Sequence, residues 1–108
     1  MSEESHNRAL RYDLSSIDVE IDGARAELLN VSATGILVSD VGATLPDGTD
    51  IVADLIVPVF HQRVGMKIKG TVIRHDNNGI AIKYGTPART WPHLLGILAR
   101  KEGKAALA

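Results

Sequence analysis

A two-residue period in hydrophobicity governs what this chain can become. Met66, Ile68, Gly70 and Val72 alternate with Lys67, Lys69 and Thr71, and Ile80, Ile82 and Tyr84 alternate with Ala81 and Lys83. Successive side chains of a strand point to opposite faces, so each run reads as a strand with one buried face. Between them stands Asp76-Asn77-Asn78-Gly79, a hairpin turn signal. Gly70 inside the longer run marks a bend or a close backbone approach.

The same period recurs upstream. Ile17, Val19 and Ile21 alternate with Asp18 and Glu20, and Asp22-Gly23 supplies a tight turn. A second strand is expected over Arg25–Val31 and a third over Ile36–Ser39. The stretch Val41–Asp50 holds Gly42, Pro46, Asp47 and Gly48 and reads as loop. Ile51–Val57 is β-branched and apolar, Pro58 ends it, and Phe60–Val64 reads as a connection with His61, Gln62 and Arg63 exposed. The period then changes. Trp91, Leu94, Leu95 and Leu98 fall on one face of a helix, with Thr90 as a candidate cap and Pro92 in the first turn. Arg100, Lys101 and Lys104 suit its C-terminal end, and Gly103 its stop.

The expectation is an all-β fold: a small six-stranded antiparallel β-barrel with a C-terminal α-helix. It is a single domain over 1–108, with a flexible N-terminal arm at 1–12, the barrel at 17–85 and the helix at 90–103. A chain of 108 residues has room for one such core and little beyond it.

Composition narrows the chemistry. There is no cysteine, which excludes disulfides, thiolate metal sites and thiol nucleophiles. The net charge of −1 excludes the broad basic footprint of a nucleic-acid binder. No apolar run approaches the length of a membrane span, and the polar start MSEESHNRALRYD has no signal-peptide core; no membrane insertion and a cytoplasmic location are expected. Charge is segregated along the chain. Residues 1–60 hold three basic and eleven acidic side chains, residues 61–108 nine basic and two acidic. Such asymmetry either points to an anionic partner or is neutralised where the two halves interleave in one fold, which a domain this small favours.

A search for catalytic patterns finds none. His6, His61, His75 and His93 lack metal-ligand spacing, no phosphate loop or nucleophile elbow is present, and Asp18, Glu20 and Asp22 share the solvent face of one strand. No enzyme, metal or cofactor is expected. What stands out is the string Asn30-Val31-Ser32-Ala33-Thr34-Gly35 between two strands. Asn and Ser there bond a ligand or local backbone, and Gly allows a close approach or an unusual φ. Arg8 and Arg11 lie just ahead of the first strand. A guanidinium forks onto guanine edges, pairs with phosphate and stacks on purine faces.

With these residues the sequence resembles the PilZ domain family. The family has an R-x-x-x-R motif, then [D/N]-x-S-x-x-G, on a six-stranded barrel with a terminal helix. Asn30 to Gly35 matches the second motif in full. The first departs: Arg11 fits its second position, Asn7 stands at the first, and Arg8 is one residue out. The resemblance spans about residues 6–102. It implies a non-enzymatic receptor of the bacterial second messenger cyclic di-GMP that changes its surface for a downstream protein partner. Arg8 and Arg11 would bind guanine and phosphate, Asn30 and Ser32 would hydrogen-bond the other guanine, and Gly35 would give clearance. The alternative is a degenerate PilZ-type adaptor that binds a protein and no nucleotide, through the helix or the basic strand around Lys67 and Lys69.

Overall fold

The computed structural model describes residues 10–42, 45–85 and 89–104. Seven strands, β1 (Asp18–Ile21), β2 (Ala24–Ala26), β3 (Leu28–Val31), β4 (Gly35–Val38), β5 (Asp50–Val59), β6 (Gln62–Asp76) and β7 (Gly79–Tyr84), precede one helix, α1 (Trp91–Lys101). All pairings are antiparallel, in the order β2-β1-β5-β6-β7-β4-β3. The two outermost strands, β2 and β3, are consecutive in the chain. The sheet therefore curls until the chain itself nearly closes it into a barrel.

Seven strands replace the expected six because the run Arg25–Val31 changes partners midway. Its first half pairs with β1 and its second with β4. Glu27 sits at the corner: its N–H donates to Ser39 Oγ and its carbonyl accepts from Ser39 N, both at 2.8 Å. One strand by sequence thus serves both ends of the sheet.

A second difference lies between β5 and β6. Val59 pairs with Gln62, leaving Phe60 and His61 as a two-residue turn. Both have positive φ, 49° and 67°, as a type I′ turn requires. Such turns normally announce themselves with Asn or Gly. Phe-His carries no such signal, so the expected connection over Phe60–Val64 is a tight hairpin.

The inward side chains of all strands but β2, with Leu14 and Ile17, form one core, and Trp91, Leu95, Leu98 and Ala99 of α1 pack into it. Thr90 holds the N-cap position without bonding through its side chain, so the expected cap is absent and Pro92 alone marks the start. The C-terminal end is fastened by Glu102, which accepts hydrogen bonds from the backbone N–H and hydroxyl of both Ser15 and Ser16. Partial burial pushes its carboxyl up, but these hydrogen bonds outweigh it and hold the group below its ordinary value. Among the described residues no helix is long and apolar enough to cross a membrane.

Candidate functional site

The turn from β3 to β4 is tied down on every side. Ser32 N–H donates to Gly35 O at 2.8 Å, and the Ser32 hydroxyl reaches the same carbonyl at 3.3 Å while accepting from Thr34 N at 3.3 Å. Tyr84, at the end of β7, donates its N–H to Thr34 O at 2.9 Å and its hydroxyl to Ser32 O at 2.6 Å. Trp91 Nε1 then donates to that Tyr84 oxygen at 3.2 Å. Ser32 is only 3% exposed, so its hydroxyl shapes the turn before it meets anything else. Burial raises the Tyr84 phenol to about 12, against smaller opposing effects of Trp91 and Arg11, so it remains a donor at neutral pH.

Gly35 has an ordinary φ. A Cβ there would meet Ile82 O at 3.1 Å. The glycine allows the turn to lie close against β7, rather than supplying a special backbone angle.

Tyr12 exchanges two 2.8 Å backbone hydrogen bonds with Val31, which stitches the chain before β1 onto the outer edge of β3. This sets Arg11 beside Asn30, and Arg11 Nη1 donates to Asn30 Oδ1 at 2.7 Å. Arg8, the other expected arginine, lies outside the described residues, as does Asn7.

Arg11, Asn30, Ser32 and Gly35 line one cavity of about 300 Å³. Sequence reasoning missed two further cations on its wall, Arg74 and Lys83. A β-bulge between Val72 and Arg74 brings Arg74 there. Strict alternation would turn Arg74 inward after an outward Ile73; the extra residue leaves both exposed. The adjacent apolar pair Val72-Ile73 in an otherwise alternating run is the sequence trace of this bulge. Ala81 and Leu37, cross-strand neighbours, add small and aliphatic surface. No carboxylate lines the cavity among the described residues; Arg74 meets Asp76 at 3.0 Å outside it. A larger concavity of about 710 Å³ lies across Ile73 and Lys83 and contains none of the motif residues. Among the described residues no group of His, Asp or Glu is arranged to hold a metal ion.

No family model matches the chain. No curated protein matches it either. Among solved structures it is similar to the Bacillus subtilis inhibitor of motility MotI/DgrA, a protein of PilZ fold, at 22% identity and a TM-score of 0.68 over 88% of this chain. The match spans 50% of MotI/DgrA, so this chain corresponds to about half of that protein. It is also similar to the Legionella uncharacterized protein Lpg0364, at 17% identity and a TM-score of 0.50, covering 82% of this chain and 86% of the other. At these identities the likeness concerns the fold: a PilZ-like barrel with a C-terminal helix.

Proposed function

We propose that this chain is a non-enzymatic receptor for cyclic di-GMP that serves as an adaptor to a protein partner in the cytoplasm. The observation that carries the reading is the convergence of Arg11, Asn30, Ser32 and Gly35, drawn from two separated stretches, with Arg74 and Lys83 on one cavity that no carboxylate lines among the described residues. Three cations suit a ligand with two phosphates. In this reading Asn30 offers a donor and an acceptor to a guanine edge once Arg11 releases its Oδ1, and Arg11 turns to stack on the base or pair with phosphate. Ala81 and Leu37 receive the flat apolar face. A cavity of 300 Å³ is at the small end for ligand sites, so one nucleotide half enters and the other lies along the surface. The fold likeness to MotI/DgrA, whose name describes an inhibitor of motility, supports a regulator rather than a catalyst.

Calorimetric titration with cyclic di-GMP tests the reading. A dissociation constant of about 1 μM or tighter is expected, about −8 kcal/mol. Absence of heat and of amide shift changes at about 100 μM ligand would leave the nucleotide-free adaptor in its place.

A further inference from the structure

The long strand β6 has a neighbour on each side only over part of its length. β5 pairs with it from Gln62 to Thr71, whereas β7 begins at Gly70. The direction of each peptide group follows from one anchor. Val72 exchanges hydrogen bonds with the chain leading into β5: its N–H donates to Thr49 O at 2.8 Å and its carbonyl accepts from Gly48 N at 2.7 Å. The β5–β6 register is unshifted from Thr71↔Asp50 to Gln62↔Val59. In an antiparallel ladder every second residue faces the same neighbour, so Gly70, Ile68, Met66 and Val64 also aim their peptide groups at β5. Arg63, Gly65 and Lys67 aim theirs the opposite way, where no strand lies among the described residues. Their three N–H and three carbonyl groups form an open edge.

The surroundings of this edge are specific. Gly65 is exposed, and a Cβ built on it would meet nothing within 4 Å. Arg63, Lys67 and Lys69 lie on the outer face of the strand with exposed side chains. Asp18 and Asp54, which pair with Arg63 and Lys67, both stand on the β5 side. Along the other face Val64 is 40% exposed and Met66 half-buried.

We propose that the Arg63–Lys67 edge of β6 receives an extended segment of a partner protein as an added strand, one in which acidic and apolar residues alternate. Its acidic side chains would meet Arg63, Lys67 and Lys69, continuing across the sheet the order carboxylate, cation, carboxylate that Asp54 and Lys67 begin. Its apolar side chains would cover Val64 and Met66. Main-chain hydrogen bonds to Arg63, Gly65 and Lys67 set the register. A second copy of this chain is a poor occupant. Antiparallel pairing of two β6 edges about Gly65 sets Arg63 opposite the partner's Lys67, a like-charge pair. The proposal does not depend on nucleotide binding.

Amide hydrogen exchange by NMR, with two capped decapeptides of alternating glutamate and valine or alternating lysine and valine, tests it. In the free protein the amides of Arg63, Gly65 and Lys67 should exchange rapidly, and those of Val64 and Met66 slowly. The glutamate peptide should slow the first three at least tenfold and leave the other two unchanged; the lysine peptide should have no effect. Gly65→Pro deletes the central outward N–H, a position where an edge strand accepts proline, so core amides such as that of Val72 should stay protected while the peptide response vanishes. Should Gly65→Pro fail to fold, Gly65→Glu projects a carboxylate into open space; it should weaken the glutamate peptide at least tenfold and favour the lysine one. Slow exchange at Gly65 in the free protein, equal response to both peptides or to neither, or a response that survives Gly65→Pro overturns the proposal. Protection that grows with protein concentration alone also overturns it and assigns the edge to a second copy.

Discussion

From Gly70 to Asp76, β6 is held against β7; from Gln62 to Lys69 it has β5 alone. In the first half a bulge re-aims Arg74 onto the wall of the motif cavity, and Gly70 lies against Ile82 and Lys83. In the second half Gly65 has open space, and the turn that begins it presents Phe60 at 89% exposure. One alternating run, Met66 to Val72, crosses from the open half into the closed one. The contrast teaches that alternation sets which face of a strand is buried, while the lengths of its neighbours decide whether its edges are closed. The motif cavity lies beside the closed half, and the open peptide groups lie in the other.

The two glycines give the largest test of this contrast. A Cβ on Gly70 would come within 2.7 Å of Ile82 Cγ2 and 3.0 Å of Lys83 O. Gly70→Val should therefore destabilise by about 3 kcal/mol, the upper part of the range for overpacking. Gly65→Val should stay within about 0.5 kcal/mol of the parent, as exposed substitutions usually do. Urea denaturation midpoints at equal slope would report both. Equal effects would show that the two halves are packed alike and would break the comparison.

The cations of the closed half come next. Arg74→Ala and Lys83→Ala should each weaken cyclic di-GMP by about 1.5–3 kcal/mol, the range for a hydrogen bond to a charged group. Their melting temperatures should stay near the parent's, since both side chains are exposed. Titration separates the possibilities. A parent that binds, with variants that bind equally, removes the bulge from the site and leaves Arg11 and Asn30 in it.

Legibility in the sequence does not follow this division. The runs at Ile17–Ile21, Met66–Val72 and Ile80–Tyr84 specify strands because their period is their own property. The Asn77-Asn78 turn and the face of α1 were legible for the same reason. The partner change at Glu27, the Phe60-His61 turn and the bulge at Ile73 depend on contacts between distant residues, and local composition records them weakly or not at all. At the candidate site, Asn30, Ser32 and Gly35 stand out by their spacing, and the structure places them on one cavity. Their roles were less visible: the Ser32 hydroxyl serves its own turn, and Gly35 makes room for Ile82 O. Arg74 and Lys83 belong to no string, and only the pairing of β6 with β7 brings them beside Arg11.

Tyr84, opposite Gly70 in the closed half, sharpens the contrast at a smaller scale. Tyr84→Phe leaves the Ser32 carbonyl without its donor and Trp91 Nε1 without its acceptor, which should cost about 1–2 kcal/mol. The pH dependence follows from the raised phenol. The folded state holds the proton up to about 12, whereas an unfolded tyrosine releases it near 10. The group's contribution is complete below about pH 10 and is lost as pH rises from about 10 to 12. Stability measured across that window should fall more steeply for the parent than for Tyr84→Phe. Parallel curves would mean that the Tyr84 phenol is not buried in the folded state.

The smallest expected change lies at the tip of the open half, and it has the opposite sign. Phe60 and His61 both have positive φ, where a side chain with a Cβ is strained by about 1 kcal/mol or more. Phe60 buries almost nothing in return. Asn accepts this conformation with less strain and Gly with none, so replacing the pair by Asn-Gly relieves both positions. Against that, Gly at position 61 adds freedom to the unfolded chain, worth about 0.4–1 kcal/mol in the other direction. The relief outweighs this loss because two residues are released and one gains freedom. The double variant Phe60→Asn, His61→Gly should therefore be more stable by about 0.5–1 kcal/mol. A thermal melt should show a rise of a few degrees for a domain of this size. A lower melting temperature would mean that Phe60 packs against the body of the protein. The tip would then belong to the closed part of the molecule, and the contrast between the halves of β6 would begin further along the strand.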